Sequence, residues 1–178
     1  ISRKTYPKQF AKILDGDTLF QETSKRLKTS KIINFAPQIT LTNDLFRFII
    51  SQQLSEIGIE DGSIIIEPEA RNTAPPILAA SIIAQQSNEN PTLLVVPSDH
   101  VIHDKETFDY MVLSGLRSVE KGDIVTFGIE ITRPEIGYGY LELIKENRST
   151  TYRVKKFVEK PSYEESIKMY KSNNFLWN

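Results

Sequence analysis

Apolar residues come along this chain in short blocks parted by polar turns, and the spacing inside the blocks changes along the chain. At 18–29, TLFQETSKRLKT puts Leu19, Phe20, Thr23 and Leu27 on one side and charge on the other, the period of a helix starting at Thr18. APQITLT reads as a short strand, and Asn43-Asp44 caps a second helix, DLFRFIISQQLSEIG, which Gly58 stops. SIIIEPE is a wholly apolar strand over its isoleucines. The polar run PEARNTAP then leads into PILAASIIAQQ, a helix with proline in its first turn. PTLLVVPSDH reads as another buried strand, ETFDYMVLSGLRSVEKG as an amphipathic helix and DIVTFGIE as a further strand. Strands that are apolar throughout, alternating with helices over short connections, predict a mostly parallel sheet covered on both faces, an α/β sandwich. After ITRPEIGYGYLELI the pattern changes to paired strands, ending in YRVKKFVEKPS and the helix SYEESIKMYKSN. No repeat, low-complexity tract or linker interrupts the sequence, so residues 1–178 read as a single domain.

Composition narrows the partners. Hydrophobic residues at 39% and charged residues at 25% are ordinary for a globular chain. Lys+Arg at 22 against Asp+Glu at 23 leaves a net charge of -1, so no broad basic field attracts nucleic acid and any anion must be recognised locally. The absence of cysteine excludes disulfides, a cysteine nucleophile and a thiolate zinc site, and fits the cytosol. No apolar run approaches the roughly 20 residues of a membrane span.

In open parallel sheets ligands bind beyond the carboxyl ends of the strands. Four polar, turn-forming clusters follow predicted strands here: Glu67 to Pro76, Ser98-Asp99-His100, Gly137 to Tyr140, and Glu159-Lys160-Pro161. Asp99 ends a buried strand, where a carboxylate must be paired, act as a cap or hold a hard cation such as Mg²⁺. His100 and His103 beside Asp99 and Asp104 lack the i, i+4 spacing of a helical zinc pair. Gly137 and Gly139 allow close backbone approach to a ligand, or simply a hairpin turn. Glu159-Lys160 offers an acceptor and a phosphate-sized charge, or a surface ion pair. Pro7 fixes the backbone beside Lys8 in YPKQF, which suits an anion hook as well as it suits a surface loop. A carboxylate in the 67–73 loop could accept from guanine N1–H and N2–H₂, a pairing that adenine lacks.

Taken together, YPKQF, EPEARNTAP, VVPSDHVI, TFGIEITRPEIGYGYL, FVEKP and FLWN resemble, in order and spacing, the bacterial mannose-1-phosphate guanylyltransferases of the sugar-nucleotidyltransferase family. The likeness covers essentially the whole chain. It implies a Rossmann-like nucleotide-diphospho-sugar transferase fold and the transfer of GMP from GTP to α-D-mannose 1-phosphate, giving GDP-mannose and pyrophosphate. By resemblance Lys8, Asp99 and Lys160 are the catalytic residues, and Asp99 holds Mg²⁺. The nucleotide falls to Arg3, Lys8, Glu67, Arg71, Asn72 and Thr73. The sugar phosphate falls to Gly139, Glu159, Lys160 and Asn178. The resemblance further implies a cytoplasmic enzyme with no nucleic-acid or membrane partner, and allows a homodimer. Family members carry a glycine-rich phosphate loop before the segment that opens this chain and continue past its final Trp-Asn, so a fragment of a longer protein is expected. Two other readings stay open: a pyrophosphorylase for another nucleotide and hexose 1-phosphate, and a non-catalytic subunit that binds nucleotide sugar.

Overall fold

The computed structural model describes residues 6–12, 16–69, 71–144 and 151–178. The chain forms two compact units, Ile1–Asp109 and Tyr110–Asn178. Five helices and five strands are described, mixed α/β as the pattern predicts. No helix among the described residues is long and apolar enough to cross a membrane.

In the first unit, helix α1 (Leu19–Lys28) starts where the sequence places it. Thr18 and Gln21 form a reciprocal capping box, each side chain accepting from the other's backbone N–H. Strand β1 (Ile39–Asn43) pairs in parallel with β2 (Ser63–Glu67), in register from Ile39 opposite Ser63 to Asn43 opposite Glu67. Between them, the Asn43 side chain caps the 3₁₀ turn Asp44–Phe46, which runs into helix α2 (Arg47–Glu56). The core of this unit is Phe10, Phe20, Ile50, Leu54 and Ile59. Burying each such side chain contributes about 1.5–3 kcal/mol.

Gly58 ends α2 as its sequence position implies. Its φ of 66° is left-handed, its N–H donates to the Ser55 carbonyl at 3.0 Å, and the next N–H, of Ile59, donates to Leu54 at 2.9 Å. A Cβ at Gly58 would meet nothing within 4 Å, so Gly58→Ala tests the backbone cost alone. The expected loss is about 1–2 kcal/mol, a fall of a few degrees in thermal midpoint. An unchanged midpoint would show that this cap does not hold α2 against the core.

Helix α3 (Ala74–Gln85) carries Pro75 and Pro76 in its first turn. Helix α4 (Lys105–Val119) begins at the Asp104 cap, whose carboxylate accepts from the Thr107 N–H and hydroxyl at 2.9 and 2.7 Å. In the second unit an antiparallel sheet has the order β4-β3-β5, with β3 (Gly139–Ile144), β4 (Arg153–Glu159) and β5 (Phe175–Trp177). Ser162 and Glu165 box the start of helix α5 (Tyr163–Ser172). The change to paired strands after residue 131 is therefore as the sequence indicates.

Two expected strands differ. PTLLVVP joins no ladder, and Val95 is 58% exposed. DIVTFGIE meets β5 at a single antiparallel bridge, Ile129 with Trp177, and Ile124 is fully exposed. An apolar block becomes a strand only where another backbone supplies hydrogen-bond partners, and neither segment receives a full set among the described residues. For the same reason β2 is less buried than its isoleucines suggest: Ile64 and Ile65 are half-buried and Ile66 is exposed.

Candidate active site

Lys8 opens the 3₁₀ turn Lys8–Phe10, preceded by Pro7 in an extended conformation. The turn is fixed from the core side. Phe10 packs its ring against Phe20 and Phe46 at 5.8 and 5.5 Å. The Phe10 carbonyl accepts from Gln53 Nε2 at 3.0 Å and from the Tyr6 hydroxyl at 2.9 Å. Gln53 belongs to a buried polar relay: its Oε1 accepts from the Thr18 hydroxyl at 2.7 Å, and its backbone carbonyl accepts from Gln21 Nε2 at 3.0 Å. The caps of α1, the middle of α2 and the lysine turn are thus one hydrogen-bonded assembly. Gln53 is a glutamine on the same buried stripe of α2 as Ile50 and Leu54, a polar residue in an apolar pattern that is the one sequence signal for its role.

Asp99 lies in the turn after PTLLVVP, and its Oδ2 is 2.7 Å from Lys8 Nζ. The two side chains remain 32% and 55% exposed, open to a ligand. Asp99 therefore offers a hard oxygen donor that already faces a cation. No group of three or more His, Cys, Asp or Glu able to hold a metal occurs among the described residues. An ion at Asp99 would take its remaining ligands from phosphate and water, which is how magnesium is commonly held. The zinc reading loses Asp104, which caps α4; the Thr107 N–H and then its hydroxyl hold that carboxyl below its ordinary range.

Among the nucleotide candidates, Arg3 lies outside the described residues. Glu67 ends β2, opposite Asn43. Arg71 is drawn back to Glu69, donating from Nε and Nη2 to one carboxylate oxygen at 3.0 and 2.5 Å. Asn72 takes a left-handed φ of 58°. Thr73 precedes α3 without a side-chain capping bond. Because Pro75 and Pro76 have no N–H, the start of α3 offers fewer donors than a typical helix start. It suits a base or sugar edge better than a phosphate. A cleft of about 330 Å³ lined by Phe10, Gln53 and Glu56, among others, holds none of the candidate residues.

In the second unit the four sugar-side candidates meet at one end of the sheet. Gly139 pairs with Glu159 across β3 and β4. A Cβ on Gly139 would lie 2.7 Å from the Phe157 ring and 3.2 Å from Glu159 Oε2, so a larger residue there would have to displace those two side chains. The Asn178 N–H donates to the Gly139 carbonyl at 2.9 Å, and Asn178 Oδ1 accepts from the Thr126 hydroxyl at 2.6 Å. Lys160 has a φ of 43° although it precedes Pro161, and its N–H donates to the Tyr138 carbonyl at 3.2 Å. Its Nζ is 3.5 Å from Glu159 Oε1, with both side chains exposed. Three non-glycine residues among those described have positive φ, and two of them, Asn72 and Lys160, are candidates read from the sequence. Such strain persists where the surroundings over-determine it, often at ligand sites.

Glu135 was missed. Its carboxylate accepts from the backbone N–H groups of Ile136 and Gly137 at 2.9 and 3.1 Å. The Gly137 N–H foremost, with help from Arg133, holds that carboxyl below its ordinary range. The buried Tyr140 hydroxyl donates to the Glu135 carbonyl at 2.7 Å. The Gly-Tyr-Gly turn is thereby fixed, and the Gly137 N–H is already engaged.

The sequence matches the Nucleotidyl transferase family over residues 1–178. The chain belongs to that family. This nucleotidyl transferase is 40% identical to a mannose-1-phosphate guanylyltransferase of Sinorhizobium fredii (strain NBRC 101917 / NGR234), over 100% of the chain and 35% of that protein. It is 38% identical to a mannose-1-phosphate guanylyltransferase of Escherichia coli, over 100% of the chain and 39% of that protein. Among solved structures, a mannose-6-phosphate isomerase from Helicobacter pylori superimposes with a TM-score of 0.81 at 30% identity, covering 100% of this chain and 65% of that one. The nucleotidyl transferase chain thus spans little more than a third of the curated relatives it matches. Members of the family generally use a divalent metal.

Proposed function

We propose that the protein carrying this chain transfers GMP from GTP to α-D-mannose 1-phosphate, forming GDP-mannose and pyrophosphate in the cytoplasm. Two guanylyltransferase relatives aligned along the whole chain support the reading. The observation that carries it is the 2.7 Å approach of Lys8 to Asp99, residues from distant parts of the sequence that the reaction requires together. A sugar-phosphate oxygen attacks the α-phosphorus of GTP, a new P–O bond forms, and the bond to the β-phosphate oxygen breaks as pyrophosphate leaves. No covalent enzyme intermediate is needed, so the chain's work is positioning and charge neutralisation.

Lys8 opens a turn anchored by Phe10, with its ammonium 2.7 Å from Asp99, and steadies the transferring phosphate. Asp99 would hold Mg²⁺, whose chemistry when bound is to neutralise charge on the triphosphate as pyrophosphate departs. Glu67, Arg71, Asn72 and Thr73, with Arg3, serve the nucleotide; a carboxylate acceptor in that loop favours guanine. Glu159 accepts from mannose hydroxyls, with the Gly139 backbone and Asn178 beside the sugar. Lys160 binds the sugar's phosphate.

The testing experiment is Mg²⁺-dependent pyrophosphate release by the full-length protein, with GTP, ATP, UTP and dTTP each against mannose 1-phosphate and glucose 1-phosphate. Preference for GTP with mannose 1-phosphate is expected. Another preferred pair would overturn the reading of the nucleotide loop while keeping the chemistry. GDP-mannose binding without turnover on any pair would assign a regulatory subunit instead. In the active protein, Lys160→Ala should raise KM for mannose 1-phosphate about tenfold or more, the scale of a lost hydrogen bond to a charged group, with a smaller change in kcat. An unchanged KM would remove Lys160 from the sugar-phosphate site.

A further inference from the structure

Arg26 is 7% exposed, on the same last turn of α1 as the more exposed Lys25 and Lys28. A buried guanidinium is costly unless its donors are used. Among the described residues Arg26 forms no ion pair, and burial pushes its pKa down from the ordinary value, with Glu22 one turn earlier opposing the shift. Its Nη2 donates instead to the backbone carbonyl of His100 at 3.2 Å, and its guanidinium lies 5.5 Å from the centre of the Phe108 ring.

His100 directly follows Asp99. Among the described residues the segment before Asp99 joins no ladder, and the chain after it is held by the end of helix α1. Besides the Arg26 contact, Thr29 Oγ1 accepts from Lys105 Nζ at 2.9 Å, and the Ser30 hydroxyl donates to Asp109 Oδ2 at 2.6 Å. The end of α1 thus grips the chain at residues 100, 105 and 109.

We propose that Arg26 is a positioning residue for the metal–nucleotide site: its bond to the His100 carbonyl sets the Ser98-Asp99 turn and so presents the Asp99 carboxylate. This rests on the reading of Asp99 as the metal ligand. Arg26 touches no substrate in this role. Its charge is spent on one backbone oxygen, and the geometry of that contact is what the site uses.

The test measures equilibrium binding of GTP to the full-length protein by calorimetry, once with Mn²⁺ and once with EDTA. The ratio of the two affinities reports the coupling through Asp99. Asp99→Asn should collapse the ratio, and an unchanged ratio there would overturn the metal reading together with this inference. Arg26→Met keeps the aliphatic stem and should lower the ratio about tenfold, the scale of one hydrogen bond to a charged group. Added ethylguanidinium should restore part of the loss in Arg26→Ala. If Arg26→Met does not fold, Arg26→Lys carries the same comparison with an intermediate loss. Ile59→Val, a core change remote in role, supplies the stability control and should keep the wild-type ratio. Wild-type coupling in Arg26→Met and Arg26→Ala, with Asp99→Asn collapsed, would overturn the positioning role and leave the metal reading intact.

Discussion

Lys8→Met in the full-length protein should lower kcat by about 10²-fold or more, the scale of losing one preorganised charge stabiliser, while leaving thermal stability almost unchanged. The second half of that expectation gives the first its meaning. The Lys8–Asp99 pair is short at 2.7 Å, but its side chains are 55% and 32% exposed. Ion pairs so open to water contribute about 0–1 kcal/mol to stability. A pair worth so little to folding can be broken without unfolding the protein, so a loss of turnover in Lys8→Met would report on the reaction rather than on stability. Under the proposed function both residues act on one phosphate, so Asp99→Asn should cost turnover as well, and the double variant should cost less than the product of the two single losses. Near-normal turnover in Lys8→Met would make Lys8 a surface lysine and remove the observation on which the proposed function stands.

The sequence was most legible where local chemistry decides structure. Thr18, Gly58, Pro75 with Pro76, and Ser162 mark helix boundaries that the structure places within a residue or two. Each does so through a hydrogen bond or a backbone restriction confined to its own turn. The expected strands PTLLVVPSDH and DIVTFGIE are less legible because a strand is a property of two segments, and pattern reports only one. The site divides in the same way. Lys8 and Asp99 could be picked out singly by type and position, but their contact is a product of the fold. Gln53 and Arg26 are not legible in the same way because each works through a backbone atom of a distant segment, and no spacing rule marks such a contact; Glu135 instead holds the two residues that follow it.

Phe10→Ala should destabilise the protein by about 3–5 kcal/mol, the usual cost of removing a fully buried ring. That is a large part of the roughly 5–15 kcal/mol that separates folded from unfolded domains. Phe10 is 3% exposed and lies in contact with Phe20 and Phe46, so its loss opens a cavity between the lysine turn, α1 and α2. The polar relay cannot close over that space. Gln53 is held by Thr18 and Gln21 as well as by the Phe10 carbonyl, so moving it inward would break bonds already buried. Phe10→Leu keeps most of the volume and should cost about 1 kcal/mol, and thermal unfolding of the two variants separates these cases. The same ring that closes the core also sets where Lys8 points, two residues earlier on a three-residue turn. Phe10→Leu, though folded, should therefore lose more turnover than an equally destabilising change at Ile59, since only the former lets the turn shift. Equal turnover in those two variants would mean that Lys8 is positioned by Asp99 alone, and that the core beneath it serves stability without tuning the site.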